Sequence, residues 1–329
     1  MQENKEEKNY KLLSIQDLHV HYYTYAGVVH AVNSAYLELD RGEVVGVVGE
    51  TGCGKSTMGL AVVGLIIHPG KIVKGKIYFD GEELTSKTPE EMKEIRRKKI
   101  SYIFQDPTAA LNPVIRVGFQ IAEGIMATWG LNKDEAIDKA IELLKMTGIP
   151  EPEKVVEQYP HELSGGMRQR AVIAIALSKR PQLIIADEPT SNLDVTIQAQ
   201  ILDLMMDLKK KVRTAIMLVT HDMGVVAQTC EKIAVMYAGT VVEYTGVKEM
   251  FKNPLHPYTK GLLKVVNLVG WRTRLDSIPG TVPNLINPPK GCLFYPRCNS
   301  RMDICKEVRP KLIEVQPNHY IACHLYKGQ

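Results

Sequence analysis

Residues 44–56 read Val44-Val45-Gly46-Val47-Val48-Gly49-Glu50-Thr51-Gly52-Cys53-Gly54-Lys55-Ser56. An apolar run of strand length leads into G-x-x-x-x-G-K-[ST], the loop that cradles nucleotide phosphates. Gly49, Gly52 and Gly54 let the backbone turn so that successive N–H groups point inward. Lys55 carries a positive charge toward the β and γ phosphates. Ser56 offers a hydroxyl to Mg²⁺, and Thr57 reaches the α-phosphate. A helix from about Gly54 to Ile66 adds its positive N-terminal end. A glycine-rich turn with a surface lysine is the bland alternative, which the spacing and the preceding apolar strand set aside.

Outward from this loop, further strands are expected at 12–20, 34–40, 76–80, 100–104, 183–186, 215–219 and 233–236. Helices are expected at 167–177 and 197–208, and a helical stretch over roughly 107–165. Strands alternating with helices imply a mainly parallel sheet covered on both faces. Short motifs punctuate this pattern. Residues 163–170 read Leu163-Ser164-Gly165-Gly166-Met167-Arg168-Gln169-Arg170. The strand at 183–186 ends in Asp187-Glu188, followed by Pro189-Thr190-Ser191-Asn192-Leu193-Asp194. Gln105 closes a strand in Phe104-Gln105-Asp106-Pro107, and His221-Asp222 follows the strand at 215–219.

Together these motifs resemble the ABC ATPase family over most of the chain. The resemblance implies an α/β fold: a P-loop ATPase core with an antiparallel β subdomain, a helical signature subdomain at about 107–165, and an irregular Cys-containing C-terminal extension. It also implies ATP and Mg²⁺ as cofactors. Mg²⁺ would be served by Ser56, the Q-loop Gln105 and Asp187. Glu188 would act as general base on the attacking water, with Lys55 and the H-loop His221 at the γ-phosphate. Neighbouring residues at a strand end face different ways, so Asp187 can serve the metal while Glu188 serves the water. Asp194 falls in the D-loop. Ser164, Gly165 and Gly166 open a helix and form an anion site. The family places that site opposite the P-loop of a second ATPase subunit, so one chain supplies two half-sites. The A-loop aromatic that stacks on adenine lies among Tyr22, Tyr23 and Tyr25. Spacing to Ala31-Val32 favours Tyr25, with Tyr23 second.

A chain of 329 residues buries a sizeable core. A formal net charge of +4 is too weak to argue for nucleic acid. No apolar run reaches the length of a membrane span, and residues 1–11 are too polar for a secretory signal. The expected location is peripheral, on the cytoplasmic face of the cell membrane, with other subunits spanning the bilayer.

Beyond Asn253 the texture changes. Prolines crowd together and long apolar periodicity stops, which divides the chain into 1–252 and 253–329. Cys292, Cys298, Cys305 and Cys323 are spaced C-x5-C-x6-C-x17-C. Disulfides are disfavoured in a reducing compartment. Four buried, unligated thiols explain poorly why they cluster in a Pro-rich segment without a core of its own, while four thiolates hold zinc or an iron–sulfur cluster; the absence of a short C-x2–4-C pair favours a structural [4Fe–4S] cluster over Zn²⁺, with an unligated tail as the remaining alternative. Asn253-Pro254-Leu255-His256-Pro257-Tyr258-Thr259, Pro279-Gly280-Thr281-Val282-Pro283 and Pro296-Arg297-Cys298 resemble the extension of ATPase subunits from dipeptide/oligopeptide ABC importers. That resemblance implies a second ATPase subunit (a paralogue), two transmembrane permeases and an extracytoplasmic solute-binding protein as partners, and no nucleic acid. A nickel or other small-solute importer is the alternative within the class, and a soluble ABC ATPase acting on ribosomes or nucleic acid the alternative outside it.

Overall fold

The computed structural model describes residues 10–191, 193–267 and 278–326. Asn192 of the expected D-loop lies outside the described residues, as do residues 1–9 of the polar N-terminus.

The chain opens with β1 (Leu13–Thr24) and β2 (Gly27–Leu39), an antiparallel pair, and passes through β3 (Val44–Val48) into α1 (Lys55–Val62). Next come β4 (Gly70–Phe79), the short β5 (Glu82–Glu83), α2 (Pro89–Lys98) and β6 (Ile100–Ile103). Five helices follow: α3 (Pro107–Ala110), α4 (Val117–Trp129), α5 (Lys133–Met146), α6 (Pro152–Val155) and α7 (Gly165–Leu177). The core resumes with β7 (Leu183–Asp187), α8 (Val195–Val212), β8 (Ala215–Thr220), α9 (Met223–Thr229), β9 (Lys232–Tyr237) and β10 (Thr240–Gly246). The C-terminal part contributes α10 (Val247–Lys252), α11 (Pro257–Asn267), α12 (Ile304–Glu307), β11 (Ile313–Gln316) and β12 (His319–Ile321).

Two sheets result. One is antiparallel, in the order β2-β1-β4-β5; the other has eight strands in the order β11-β12-β10-β9-β3-β8-β7-β6. β6, β7, β8, β3 and β9 run parallel. Side chains alternate across their pleat. Val45, Val47, Ile185, Met217 and Val219 meet the antiparallel sheet and α1, while Val44, Ile184, Ala186, Ile216 and Leu218 meet α7 and α8. The strands are therefore apolar over most of their length, as a sheet covered on both faces must be.

The helical lobe has its own core. Val117, Ile121 and Ile125 of α4 pack on Ala136, Ala140 and Leu144 of α5. α7 joins this lobe to the sheet: Ala171 and Ala174 belong to the lobe core, and Val172, Ile173 and Ala176 to the sheet core. A helix that is apolar all round is one buried on several sides.

Much of the C-terminal part is irregular, as expected, including the stretch around Cys292 and Cys298. It also supplies α11, β11 and β12, and β12 pairs with β10 so that the main sheet continues into it. Leu293 and Phe294 share a core with Tyr237, Val242, Tyr258 and Leu263. Glu243 on β10 is fully buried and accepts hydrogen bonds from the Leu255 and His256 N–H groups at 2.7 and 2.9 Å; His319 Nε2 of β12 lies 2.8 Å from it.

The expected [4Fe–4S] or zinc staple at Cys292, Cys298, Cys305 and Cys323 is corrected by this geometry. Among the described residues, no group of three or more His, Cys, Asp or Glu side chains is placed to hold a metal ion. The four are free cysteines. The premise behind the staple also fails, because the segment has a core and a strand pairing to hold it.

Candidate functional site

The loop at 49–54 links β3 to α1 and is packed from two sides. A Cβ on Gly49 would fall 2.1 Å from the Met236 carbonyl oxygen, and one on Gly54 would fall 2.2 Å from that of Ala31. Both glycines have positive φ, so no other residue fits either the angle or the space. The Gly239 N–H donates to the Cys53 carbonyl at 2.9 Å, tying the loop to the β9–β10 turn. Lys55 is 5% exposed. Its Nζ donates to the Gly49 and Glu50 carbonyls at 2.8 and 3.2 Å, which sets the ammonium inside the curl of the loop. Thr57 follows on the first turn of α1.

Parallel pairing of β3 with β8, and of β8 with β7, carries the end of β7 to this loop. Ser56 Oγ donates to Asp187 Oδ1 at 3.0 Å. The Tyr102 hydroxyl, from β6, donates to Asp187 Oδ2 at 2.9 Å. Burial pushes the Asp187 carboxyl up; the hydrogen bonds from Tyr102 and Ser56 oppose that shift, Glu188 adds to it, and Lys55 opposes it.

Glu188 faces elsewhere. Its φ is 46°, a left-handed conformation held by a hydrogen bond from its N–H to the Val219 carbonyl at 2.8 Å. Its carboxylate therefore leaves the Asp187 side and lies between two other groups: Gln105 Nε2 donates to Oε2 at 3.1 Å, and His221 Nδ1 stands 3.2 Å from Oε1. The Ser191 hydroxyl lies within hydrogen-bond distance of the Gln105 and Glu188 carbonyls, at 3.2 and 2.9 Å, closing the turn beneath them. Glu188 is 15% exposed at its side chain and His221 61%, so the constellation sits at a surface with its carboxylate recessed.

Ser164 caps α7, its Oγ accepting from the Met167 N–H at 3.3 Å. Ser164 and Gly165 are exposed. Among the described residues, no hydrogen bond joins 164–166 to the loop at 49–57. Gly166 instead approaches Ile197 of α8, and Asp194 caps that helix by accepting from the Ile197 N–H at 3.0 Å. Tyr25 stands in the β1–β2 turn with its ring in solvent, and Tyr23 is half exposed. Either ring is open to a flat ligand.

The oxygens of Ser56 and Asp187 converge, with the Gln105 side chain on the adjoining carboxylate. This is a hard, all-oxygen donor set next to a phosphate loop, and it fits Mg²⁺. Sequence reasoning missed Tyr102 and Ser191. Tyr102 carried one signal: a buried tyrosine in an apolar strand must find a partner for its hydroxyl.

The pattern of the ABC transporter family matches residues 32–191, and that of the oligopeptide/dipeptide transporter C-terminal region matches residues 242–305. An oligopeptide transport ATP-binding protein of Bacillus subtilis is 48% identical over 96% of this chain and 89% of its own length. A dipeptide transport ATP-binding protein of Lactococcus lactis is 46% identical over 94% and 89%. Among solved structures, a dimeric ATP-binding cassette in a post-hydrolysis state with ADP and Pi superimposes with a TM-score of 0.65. It shares 28% identity and covers 71% of this chain and 98% of that one.

Proposed function

The chain belongs to the ABC transporter ATP-binding proteins, and from that premise we propose that it powers import of oligopeptides or dipeptides through membrane permeases. It is an ATPase. Residues 1–252 form the ATPase domain, with 107–165 as its helical subdomain, and 253–329 form the peptide-importer extension. Two permeases, a second ATP-binding subunit of paralogous sequence and an extracytoplasmic solute-binding protein complete the assembly. The chain sits peripherally on the cytoplasmic face. Among the described residues, no helix is long and apolar enough to cross a membrane, so the span falls to partners.

The observation that carries the chemistry is the Glu188 carboxylate, held between Gln105 and His221 one residue beyond the acid bonded to the loop serine. Inward N–H groups of the loop and the Lys55 ammonium bind the triphosphate. Thr57 reaches its α-phosphate, and Tyr25 stacks on adenine. Ser56, Gln105 and Asp187 would hold Mg²⁺, which neutralises phosphate oxygens when bound. Glu188 accepts a proton from the water that attacks the γ-phosphorus. The bond to the β–γ bridging oxygen breaks, releasing ADP and phosphate. His221 steadies Glu188 and contacts the γ-phosphate. Ser164, Gly165 and Gly166 close on the ATP of the partner subunit, with Asp194 at the seam. Hydrolysis reopens the pair, and Gln105, at the entry to the helical lobe, passes the change to the permeases.

The test is reconstitution with the permeases and second ATPase subunit in liposomes. Peptide-loaded binding protein should stimulate ATP hydrolysis and drive peptide uptake. Stimulation by nickel but not peptide, or activity that follows ribosomes instead of permeases, would overturn the assignment.

A further inference from the structure

Glu50, inside the phosphate loop, is gripped by the C-terminal part of the chain. Arg297 Nη1 and Nη2 donate to its two carboxylate oxygens at 2.9 and 3.1 Å, a bidentate fork. The Glu50 N–H donates to the Tyr258 hydroxyl oxygen at 3.0 Å. One residue of the loop is thus fixed at both backbone and side chain by two residues more than 200 positions later.

The Arg297 side chain is 6% exposed. Its Nε donates to the Pro279 carbonyl at 3.0 Å and its Nη2 to that of Ile278 at 3.1 Å, while the guanidinium lies 5.7 Å from the Tyr237 ring centre. Gly280 has φ +83°, and a Cβ there would press to 3.2 Å from Arg297 Cγ. Tyr258 is fully buried, with its ring 4.7 Å from Tyr237 and 5.5 Å from Phe294. Of the three Pro-rich motifs of the C-terminal part, those around Tyr258 and Arg297 therefore meet at Glu50, and the one around Gly280 braces Arg297. The grip is more than a tether. A carboxylate on a loop that receives phosphates repels them, and a guanidinium pinned against it cancels that repulsion. The bond to Tyr258 fixes the direction of one peptide of the loop.

We propose that Arg297 and Tyr258 are positioning residues of the nucleotide site, acting through Glu50 on the phosphate loop. The C-terminal part of the chain thereby sets nucleotide affinity. This rests on the ATPase reading above. An importer of this build then has a lever that bears directly on the phosphate loop. Displacing the C-terminal part unmasks Glu50 and weakens ATP binding without touching Lys55, Glu188 or His221.

The experiment uses the full chain and equilibrium binding of the fluorescent nucleotide TNP-ATP. Arg297→Ala should weaken binding about tenfold, and added salt should shrink that deficit because the repulsion is screened. Adding Glu50→Gln to Arg297→Ala should recover most of the loss, since glutamine carries no charge. Tyr258→Phe removes one acceptor without removing the ring and should weaken binding about threefold with the chain still folded. Unchanged binding in Arg297→Ala and Tyr258→Phe would overturn the proposal. So would a loss in Arg297→Ala that neither salt nor Glu50→Gln relieves, which would make Arg297 a strut for its own segment alone. Failure of the unsubstituted chain to bind TNP-ATP would overturn the ATPase reading itself, and this inference with it.

Discussion

Glu188 and Asp187 are sequence neighbours with different partners, and the positive φ at Glu188 is what separates them. Glu188→Gln keeps the shape and removes the base. Phosphate release at saturating ATP should fall at least ~10²-fold while nucleotide binding persists, and near-normal turnover would exclude Glu188 as the base. Tyr102→Phe probes the other carboxyl. The tyrosine hydrogen bond holds the Asp187 carboxyl down against burial, so its loss raises that carboxyl further. A proton then competes better with Mg²⁺ for that carboxylate, so the variant should need more Mg²⁺ for half-maximal hydrolysis; an unchanged Mg²⁺ requirement would leave Tyr102 with no electrostatic part. The positions of Lys55, Ser56, Asp187, Glu188, Gln105 and His221 were legible because each sits in a motif at a strand end, where a pleated sheet delivers it to one edge. Tyr102 was not legible as part of that cluster. Its hydroxyl called for a partner, but that partner lies 85 positions away and nothing local names it.

Among elements, β3, β7, β8 and β9 were readable as apolar runs, since a strand covered on both faces has only one composition. β10 and β12 were not. β10 carries a buried glutamate, and β12 has three residues, one of them a histidine, too few for any period to register. What joins them is electrostatic. Among the effects on the Glu243 carboxyl, burial is the largest and raises it, but His319 and the Leu255 and His256 N–H groups, all hydrogen-bonded to it, outweigh burial and leave it lowered. Nearby, burial drives His256 down to about 4; Glu243 pulls it up and Lys260 pushes it further down. Its Nδ1 accepts from the Tyr258 N–H at 3.1 Å, a bond only the neutral ring can make. An unfolded histidine titrates near 6.5. The stability that neutral His256 provides is therefore complete above about pH 6.5 and is lost as pH falls toward 4, by about 3 kcal/mol over that span. The Glu243 contribution is complete above about pH 4.5 and is lost on further acidification. The protection factors of the Leu255 and Tyr258 N–H groups, corrected for the intrinsic slowing of exchange with acidification, should fall between pH 6.5 and 4, and His256→Asn should flatten that dependence. Protection factors that ignore pH across this window would remove His256 from the account.

The proposed function has the phosphate loop and the Ser164 motif of one copy serving two different sites. Purified alone, the chain should be largely monomeric, and its hydrolysis per chain should rise with concentration. Glu188→Gln with ATP should shift sedimentation toward a dimer. Constant specific activity at high dilution, with no dimer, would refute shared sites. The continuous main sheet has a further consequence for how such a chain is made. β12 lies between β10 and β11, so the strand that covers the β10 flank is translated long after β10 itself. While the nascent chain leaves the ribosome, the ATPase core carries a bare strand flank of the kind that recruits foreign strands. The segment through β12 is its sealant, and ribosome stalling between residues 247 and 318 releases a protein with its nucleotide motifs translated and an adhesive side.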